Sequence, residues 1–352
     1  MQGFRALANA ELEIPARGLV IVGPNGSGKS SLIEALLYNE VFRSVRSAGD
    51  RELVRFGEAG FHVRATVTGS RQPVTVAAGY DARLKQKKVT VDGAVPERLA
   101  AAIGIVRGVV LSPGDAVLVT GGPKERRRLL DVLLSLTERG YMDALARYRR
   151  ALAQRLRAAG GEMASWEKLL GEHGAAVAAA RRRWVARWNA RYAELCGAMG
   201  EGGVAAMEYR SRTESTAEAL AAALERSREK DRAQGRTSAG PHRDELVLKL
   251  DGRELRSFGS AGQQRTAAMA LRIVEAETLE SASGVPATMC LDDAFAELDD
   301  DRSRRLVSVI EEQVGRGWQV IAAVPKAGDV PAALESLTRW TIREGAIGKT
   351  DP

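Results

Sequence analysis

The stretch Leu19-Val20-Ile21-Val22, followed at once by Gly23-Pro24-Asn25-Gly26-Ser27-Gly28-Lys29-Ser30, constrains this chain more than any other. An apolar, β-branched run, then glycines, then Ser31-Leu32-Ile33-Glu34-Ala35-Leu36-Leu37 predicts a strand, a tight loop and a helix. Residues without a Cβ let the backbone turn successive N–H groups towards phosphate oxygens at the positive end of a helix dipole. Gly23 to Ser31 then form the phosphate cradle, Lys29 supplies a point charge at the β- and γ-phosphates, and the Ser30 hydroxyl ligates Mg²⁺. The alternative is a turn that only reverses the chain. It is disfavoured because every fixed position of the motif and both flanks match.

Composition narrows the class. The 352 residues allow one large domain or two moderate ones. No run approaches the ~20 apolar residues of a membrane span, and Met1-Gln2-Gly3-Phe4-Arg5 lacks a signal-peptide core, so a soluble, cytoplasmic protein with no membrane partner is expected. Cys196 and Cys290 lie inside regular patterns and read as small buried hydrophobes. His62, His173 and His242 lack metal-ligand spacing, and no zinc is expected. The net charge of +7 points to an acidic partner, and its distribution is uneven. Residues 116–236 hold 23 Lys and Arg against 15 Asp and Glu, a net +8, while the rest holds 29 against 30.

In chain order, Phe4 to Ile14 alternates as one half-buried strand before the phosphate-loop strand. Short β-branched runs between Gly60 and Val95, with an Asp92-Gly93 turn, predict an antiparallel subsheet. Val106–Leu111 reads as a further strand. From Lys124 to about Arg232 the pattern is helical throughout, with Trp184, Trp188, Tyr192 and Leu195 as a helix–helix seam. The runs Arg126–Arg128 and Arg181–Arg183 read as solvated faces or phosphate contacts, with Arg181, Arg182, Arg183 and Arg187 largely off that seam. A hairpin at Glu245–Leu255, a helix through Thr266–Glu280, a strand ending in Asp292-Asp293, a helix from about Asp300 and a last strand, Trp318–Val324, precede a short tail.

Two further motifs carry chemistry. The strand Thr288–Asp292 delivers a carboxylate to the Mg²⁺ held by Ser30, and Asp293 stands where it can orient or deprotonate an attacking water. Ser260-Ala261-Gly262-Gln263 opens a helix with a hydroxyl and freed amides, a second phosphate-recognising end. One nucleotide cannot sit on both helix ends of one subunit without a large rearrangement, so the second end is expected to serve a partner's nucleotide. An ordinary cap by Ser260 is the competing reading.

The order of phosphate loop, Ser-x-Gly-Gln, strand-Asp-acid and Glu297-Leu298-Asp299 resembles the ABC-type ATPase heads of transporters, SMC proteins and RecF. The RecF family is the closer match, through Arg51–Gly57, Pro123–Asp131, Gly240–Asp244, Phe258–Thr266 and Leu291–Asp299. That resemblance implies an α/β, ABC-type ATPase head with a mixed sheet, flanking helices, an antiparallel β subdomain and an inserted α-helical lobe. Residues 1–115 and 237–352 would form the head and 116–236 the lobe. It implies ATP and Mg²⁺ as cofactors, Asp293 and Lys29 as catalytic residues, Ser260 to Gln263 as the signature, and a dimer formed on ATP. It also implies binding to double-stranded DNA and to single-strand/double-strand junctions, and work with RecR and RecO to direct RecA in repair, recombination, replication and the SOS response.

Three departures accompany the resemblance. The chain starts at the strand that normally follows a first strand, Leu111–Asp115 lacks a glutamine, and Val324-Pro325-Lys326 stands where many heads carry a switch histidine. The last two favour slow hydrolysis. A transporter's energy module and an SMC-like clamp remain alternatives. Against them stand the basic lobe between Lys29 and Ser260, and an insertion too short for a long coiled coil.

Overall fold

The computed structural model describes every residue except 47, 70, 71, 159–161, 215, 297 and 350–352. The chain forms β1 (Gln2–Phe4), β2 (Leu7–Asn9), β3 (Gly18–Val22), α1 (Lys29–Val41), β4 (Gly60–Val67), β5 (Val74–Asp81), β6 (Gln86–Val91) and β7 (Gly108–Leu111). Then come α2 (Pro123–Thr137), α3 (Tyr141–Arg155), α4 (Glu162–Ala198), β8 (Ala205–Arg210), α5 (Ala217–Arg226) and α6 (Arg228–Gln234). The remainder is β9 (Glu245–Leu250), β10 (Arg253–Glu254), α7 (Ala261–Ser283), β11 (Thr288–Asp292), α8 (Asp300–Gly315), β12 (Gln319–Val324), β13 (Thr338–Arg343) and β14 (Ala346–Lys349). Packing divides it into two compact units, Met1–Pro113 with Gly284–Pro352, and Gly114–Ser283. Residues 237–283, grouped with the head by motif order, thus pack with the middle segment.

The first unit holds two sheets. One is antiparallel, in the order β2-β1-β4-β5-β6; the other is mixed, in the order β14-β13-β3-β12-β11-β7. Helix α1 packs on strands of both, which is why it lacks a solvent face: Leu32, Ile33, Ala35, Leu37 and Tyr38 are all buried. Phe4, Tyr38 and Phe61 meet edge-on at centroid distances of 5.2–6.0 Å in the centre of this core. The expected strand from Phe4 to Ile14 is instead the hairpin β1–β2, turned at Arg5 with φ 52°. The chain after Val324 is more than a tail, because β13 adds parallel to β3 and β14 returns antiparallel to β13.

The second unit is built on α4, a helix of 37 residues packed by α3, α5 and α7. Trp184, Tyr192 and Leu195 are buried, so the aromatic stripe is core; Trp184 Nε1 also donates to Thr278 Oγ1 at 3.1 Å. The segment is not wholly helical. Strand β8 lies within it and pairs with β9 in continuous antiparallel register from Ala205↔Leu250 to Arg210↔Glu245.

The arginine runs divide by position. Arg181 is 2% exposed and donates to Asp131 Oδ1 at 2.6 Å, Tyr141 Oη at 3.0 Å and the Pro241 carbonyl at 2.7 Å. Arg126 is likewise buried, donating to the Leu118 and Gly121 carbonyls and to Glu245. Neither is a solvated or phosphate-contacting residue. Arg181 stands four residues after Val177 and three before Trp184, so it belongs to the apolar stripe and not beside it.

The Gly240–Asp244 string is held by the same network. Tyr148 Oη donates to His242 Nδ1 at 2.5 Å, and His242 Nε2–H donates to the Thr237 carbonyl at 3.0 Å, the pairing of a neutral ring. Burial lowers the His242 pKa to about 4; the Thr237 carbonyl opposes that shift and Arg243 and Arg127 add to it. Asp244 accepts from Tyr209 Oη at 2.6 Å and Ser211 Oγ at 3.0 Å.

Two stability predictions follow from these contacts. Arg181→Ala leaves Asp131 with Tyr141 Oη and the largely exposed Arg149 as partners and removes the donor to the Pro241 carbonyl. It should cost about 2–4 kcal/mol in urea unfolding, whereas Arg183→Ala, at a half-exposed pair, should cost under about 1 kcal/mol. Between pH 6.5 and about 4 the unfolded chain binds a proton that the folded His242 refuses, so stability falls as pH drops through that window. Urea midpoints against pH should show a slope shallower by about one proton in His242→Gln than in the unmodified protein.

Candidate functional site

Strand register brings the predicted loop and carboxylate together. Strand β12 lies between β3 and β11, with Val324 beside Val22 and Ala323 beside Asp292, all parallel. The ends of β3 and β11 therefore open on the same edge of the sheet, where ligands of open parallel sheets bind. Ser30 Oγ donates to Asp292 Oδ1 at 2.8 Å. Arg46 Nη2 holds the other oxygen, Asp292 Oδ2, at 2.7 Å.

The loop itself is preorganised. Gly26 and Gly28 take φ values of 80° and 110°, and Gly28 turns the chain onto α1 as its N-cap. A Cβ on Gly23 would stand 2.4 Å from the Ile342 carbonyl and 2.8 Å from Ser27 Oγ. Pro24, Asn25 and Gly26 are exposed, while Ser27 and Lys29 are buried. Lys29 Nζ donates to the Gly23 carbonyl at 2.7 Å and the Pro24 carbonyl at 3.2 Å, so the ammonium lies across the loop. Ser31 follows on the first turn of the helix, half-buried.

Asp293 leaves the strand at φ 52°, a left-handed conformation that Asp tolerates better than most residues. Its N–H is bonded to the Ala323 carbonyl at 3.1 Å, while Oδ1 is buried with no partner among the described residues. Burial raises its pKa, and the Lys29 ammonium opposes the shift. A carboxylate with an unsatisfied oxygen beside a lysine is equipped to hold a water or accept a proton.

The donor set fits Mg²⁺ with a triphosphate. Ser30 and Asp292 offer two hard oxygens, and among the described residues no cluster of three or more Asp, Glu, His or Cys could cage a metal. Mg²⁺ commonly takes one or two protein oxygens and completes its octahedron with phosphate and water. Ser27 Oγ, buried with no hydrogen-bond partner among the described residues, stands beside Gly23 in the same loop.

The second predicted phosphate end lies in the second unit. Ser260 Oγ accepts from the Gln263 N–H at 3.2 Å and Gln263 Oε1 accepts from the Ser260 N–H at 2.9 Å, a reciprocal capping box before α7. Ser260 and Ala261 are exposed, Gly262 and Gln263 half-buried. Phe258, two residues earlier, is 73% exposed, a feature the sequence reading passed over. Of the Glu297-Leu298-Asp299 string, Glu297 lies outside the described residues; Asp299 caps α8, accepting from the Arg302 N–H at 2.8 Å. A broad cavity of about 680 Å³ over β1, β4, β5 and β6 contains none of these residues.

Residues 1–346 match the RecF/RecN/SMC N terminal domain family. A DNA replication and repair protein RecF of Herpetosiphon aurantiacus is 33% identical over 99% of this chain and 97% of its own length. That of Anaeromyxobacter dehalogenans is 38% identical over the same shares. The chain belongs to the RecF family. Among solved structures, the recombination mediator protein RecF with ATP, described in the RecFOR pathway, matches at TM-score 0.90 and 26% identity, over 99% of this chain and 96% of that one. An Smc head domain from Pyrococcus furiosus shares the fold at TM-score 0.57 and 15% identity. The RecF architecture therefore accounts for the mixed sheet, the antiparallel sheet and the long-helix lobe.

The loop geometry predicts unequal costs for adding a methyl group. Gly23→Ala drives a Cβ into backbone and should cost more than about 2 kcal/mol in thermal unfolding; Gly26→Ala has open space and should cost only the ~1 kcal/mol of its positive φ.

Proposed function

We propose that this protein is an ATP-dependent DNA-binding protein of recombinational repair that dimerises on ATP and hydrolyses it slowly, with stimulation by DNA. The observation that carries the reading is the Ser30–Asp292 hydrogen bond of 2.8 Å at the mouth of the glycine loop, with Asp293 unsatisfied beside it. Mg²⁺ held there would neutralise charge on the β- and γ-phosphates. The loop amides and Lys29 orient the triphosphate, and Lys29 exchanges the Gly23 and Pro24 carbonyls for phosphate oxygens. Asp293 positions the attacking water and accepts its proton. The segments expected to sense the γ-phosphate lack the usual glutamine and histidine, which favours slow turnover.

A second copy supplies Ser260 to Gln263 in this reading. Two helix N-termini can approach one triphosphate from opposite sides when two chains face each other with two-fold symmetry, so two nucleotides are shared per dimer. The exposed Phe258 beside Ser260 supports a covered face there, since aromatic side chains anchor interfaces. The net +8 over residues 116–236 supports sequence-independent binding of duplex DNA and gapped junctions, and family membership supports work with RecR and RecO upstream of RecA. A clamp arm is disfavoured, because α4 would span only ~55 Å and is buried among its neighbours.

Three variants test the reading. Lys29→Ala should weaken ATP binding at least tenfold, and Asp293→Asn should keep ATP and lose turnover. Ser260→Arg should block dimerisation in sedimentation with a slowly hydrolysed ATP analogue while sparing ATP binding by the monomer. Normal steady-state hydrolysis by Asp293→Asn, or a normal dimer from Ser260→Arg, would overturn the corresponding assignment.

A further inference from the structure

Asp292 is 4% exposed, and its two oxygens have partners of different kinds. Ser30 Oγ, on Oδ1, is neutral and can share the carboxylate with a cation. Arg46 Nη2, on Oδ2 at 2.7 Å, brings a full positive charge to the carboxylate that a divalent cation would use. Two cations within ~4 Å repel by several kcal/mol where water is partly excluded, so each weakens the other's hold on one carboxylate. We propose that Arg46 is an internal competitor for Asp292, one that weakens the site's hold on divalent metal and leaves the carboxylate when metal and nucleotide bind. The inference rests on Ser30 and Asp292 being the metal ligands.

The surroundings allow that exchange at low cost. The Arg46 N–H donates to Ser44 Oγ at 3.0 Å, and Ser44 Oγ donates to Glu34, itself paired with Arg5 at 3.0 Å. The root of the arm is therefore fixed to α1. Its side chain, by contrast, is 52% exposed against 5% for Asp292. Rotation about the side-chain bonds moves the guanidinium into water without moving the loop. Metal arrival would then present a free arginine at the mouth of the site, and nucleotide occupancy would be reported on the surface.

Manganese titration followed by electron paramagnetic resonance measures the competition directly, using the full chain in excess over a slowly hydrolysed ATP analogue. Arg46→Met should tighten Mn²⁺ about three- to tenfold, Arg46→Lys should stay near the unmodified protein, and analogue affinity in EDTA should be unchanged. Asp292→Asn separates the two readings, since it should lose at least tenfold in Mn²⁺ affinity. If Asp292→Asn binds Mn²⁺ normally, the ligand assignment fails, and the competition with it. If Asp292→Asn loses Mn²⁺ while Arg46→Met binds as before or more weakly, the competition alone is wrong.

Discussion

Parallel pairing of β12 with both β3 and β11 is the constraint on which the site depends. The loop and the carboxylate are 262 residues apart in sequence, and only the registers Val324↔Val22 and Asp292↔Ala323 bring Ser30 and Asp292 within hydrogen-bond reach. Parallel strands cannot be joined by tight turns, so the intervening chain must leave the sheet and return. The second unit occupies that excursion. The geometry of the candidate site and the presence of the second unit are thus two consequences of one topology.

Helix α1 links this constraint to the core. Its N-terminus is the phosphate end, and its body is buried on strands of two sheets, so it cannot move without disturbing both. Buried charge follows from the same position. Glu34 and Glu40 are near-inaccessible on α1, Glu34 pairs with Arg5, and Glu40 accepts from the Gly108 N–H at 3.2 Å at the start of β7. These bonds carry rigidity from the sheets to the loop, and through Ser44 to the arm that reaches Asp292.

Legibility in the sequence tracked how local each signal was. The glycine loop, the Asp292 strand and the 251–252 hairpin turn are written in consecutive residues, and all appear where expected. Strand β8 was missed because Ala205-Ala206-Met207-Glu208-Tyr209-Arg210 has no β-branched residue, and its identity comes from β9 across the sheet. The β1–β2 turn was missed because Arg5, not glycine or asparagine, takes the positive φ. Strand β13 carried a readable signal in Thr338-Arg339-Trp340-Thr341-Ile342-Arg343 that the sequence reading passed over. At the site, the loop, the Ser30–Asp292 pair and Asp293 were legible from motif spacing; the Arg46 contact was not, because Arg46 belongs to none of those motifs.

Burial of arginines in the lobe sharpens the electrostatic argument for an acidic partner. Arg126, Arg155 and Arg181 are removed from the surface, and so are Asp131, Glu167 and Asp231, which pair with Arg155 and Arg181. Three cations and three anions leave together, so 20 Lys and Arg against 12 Asp and Glu remain elsewhere in residues 116–236, still a net +8. The excess is therefore a property of accessible side chains, not of structural arginines miscounted as a binding face. Condensed counterions on a polyanion respond to that accessible charge, and affinity should track salt through the surface residues while Arg181 and Arg155 serve the fold alone.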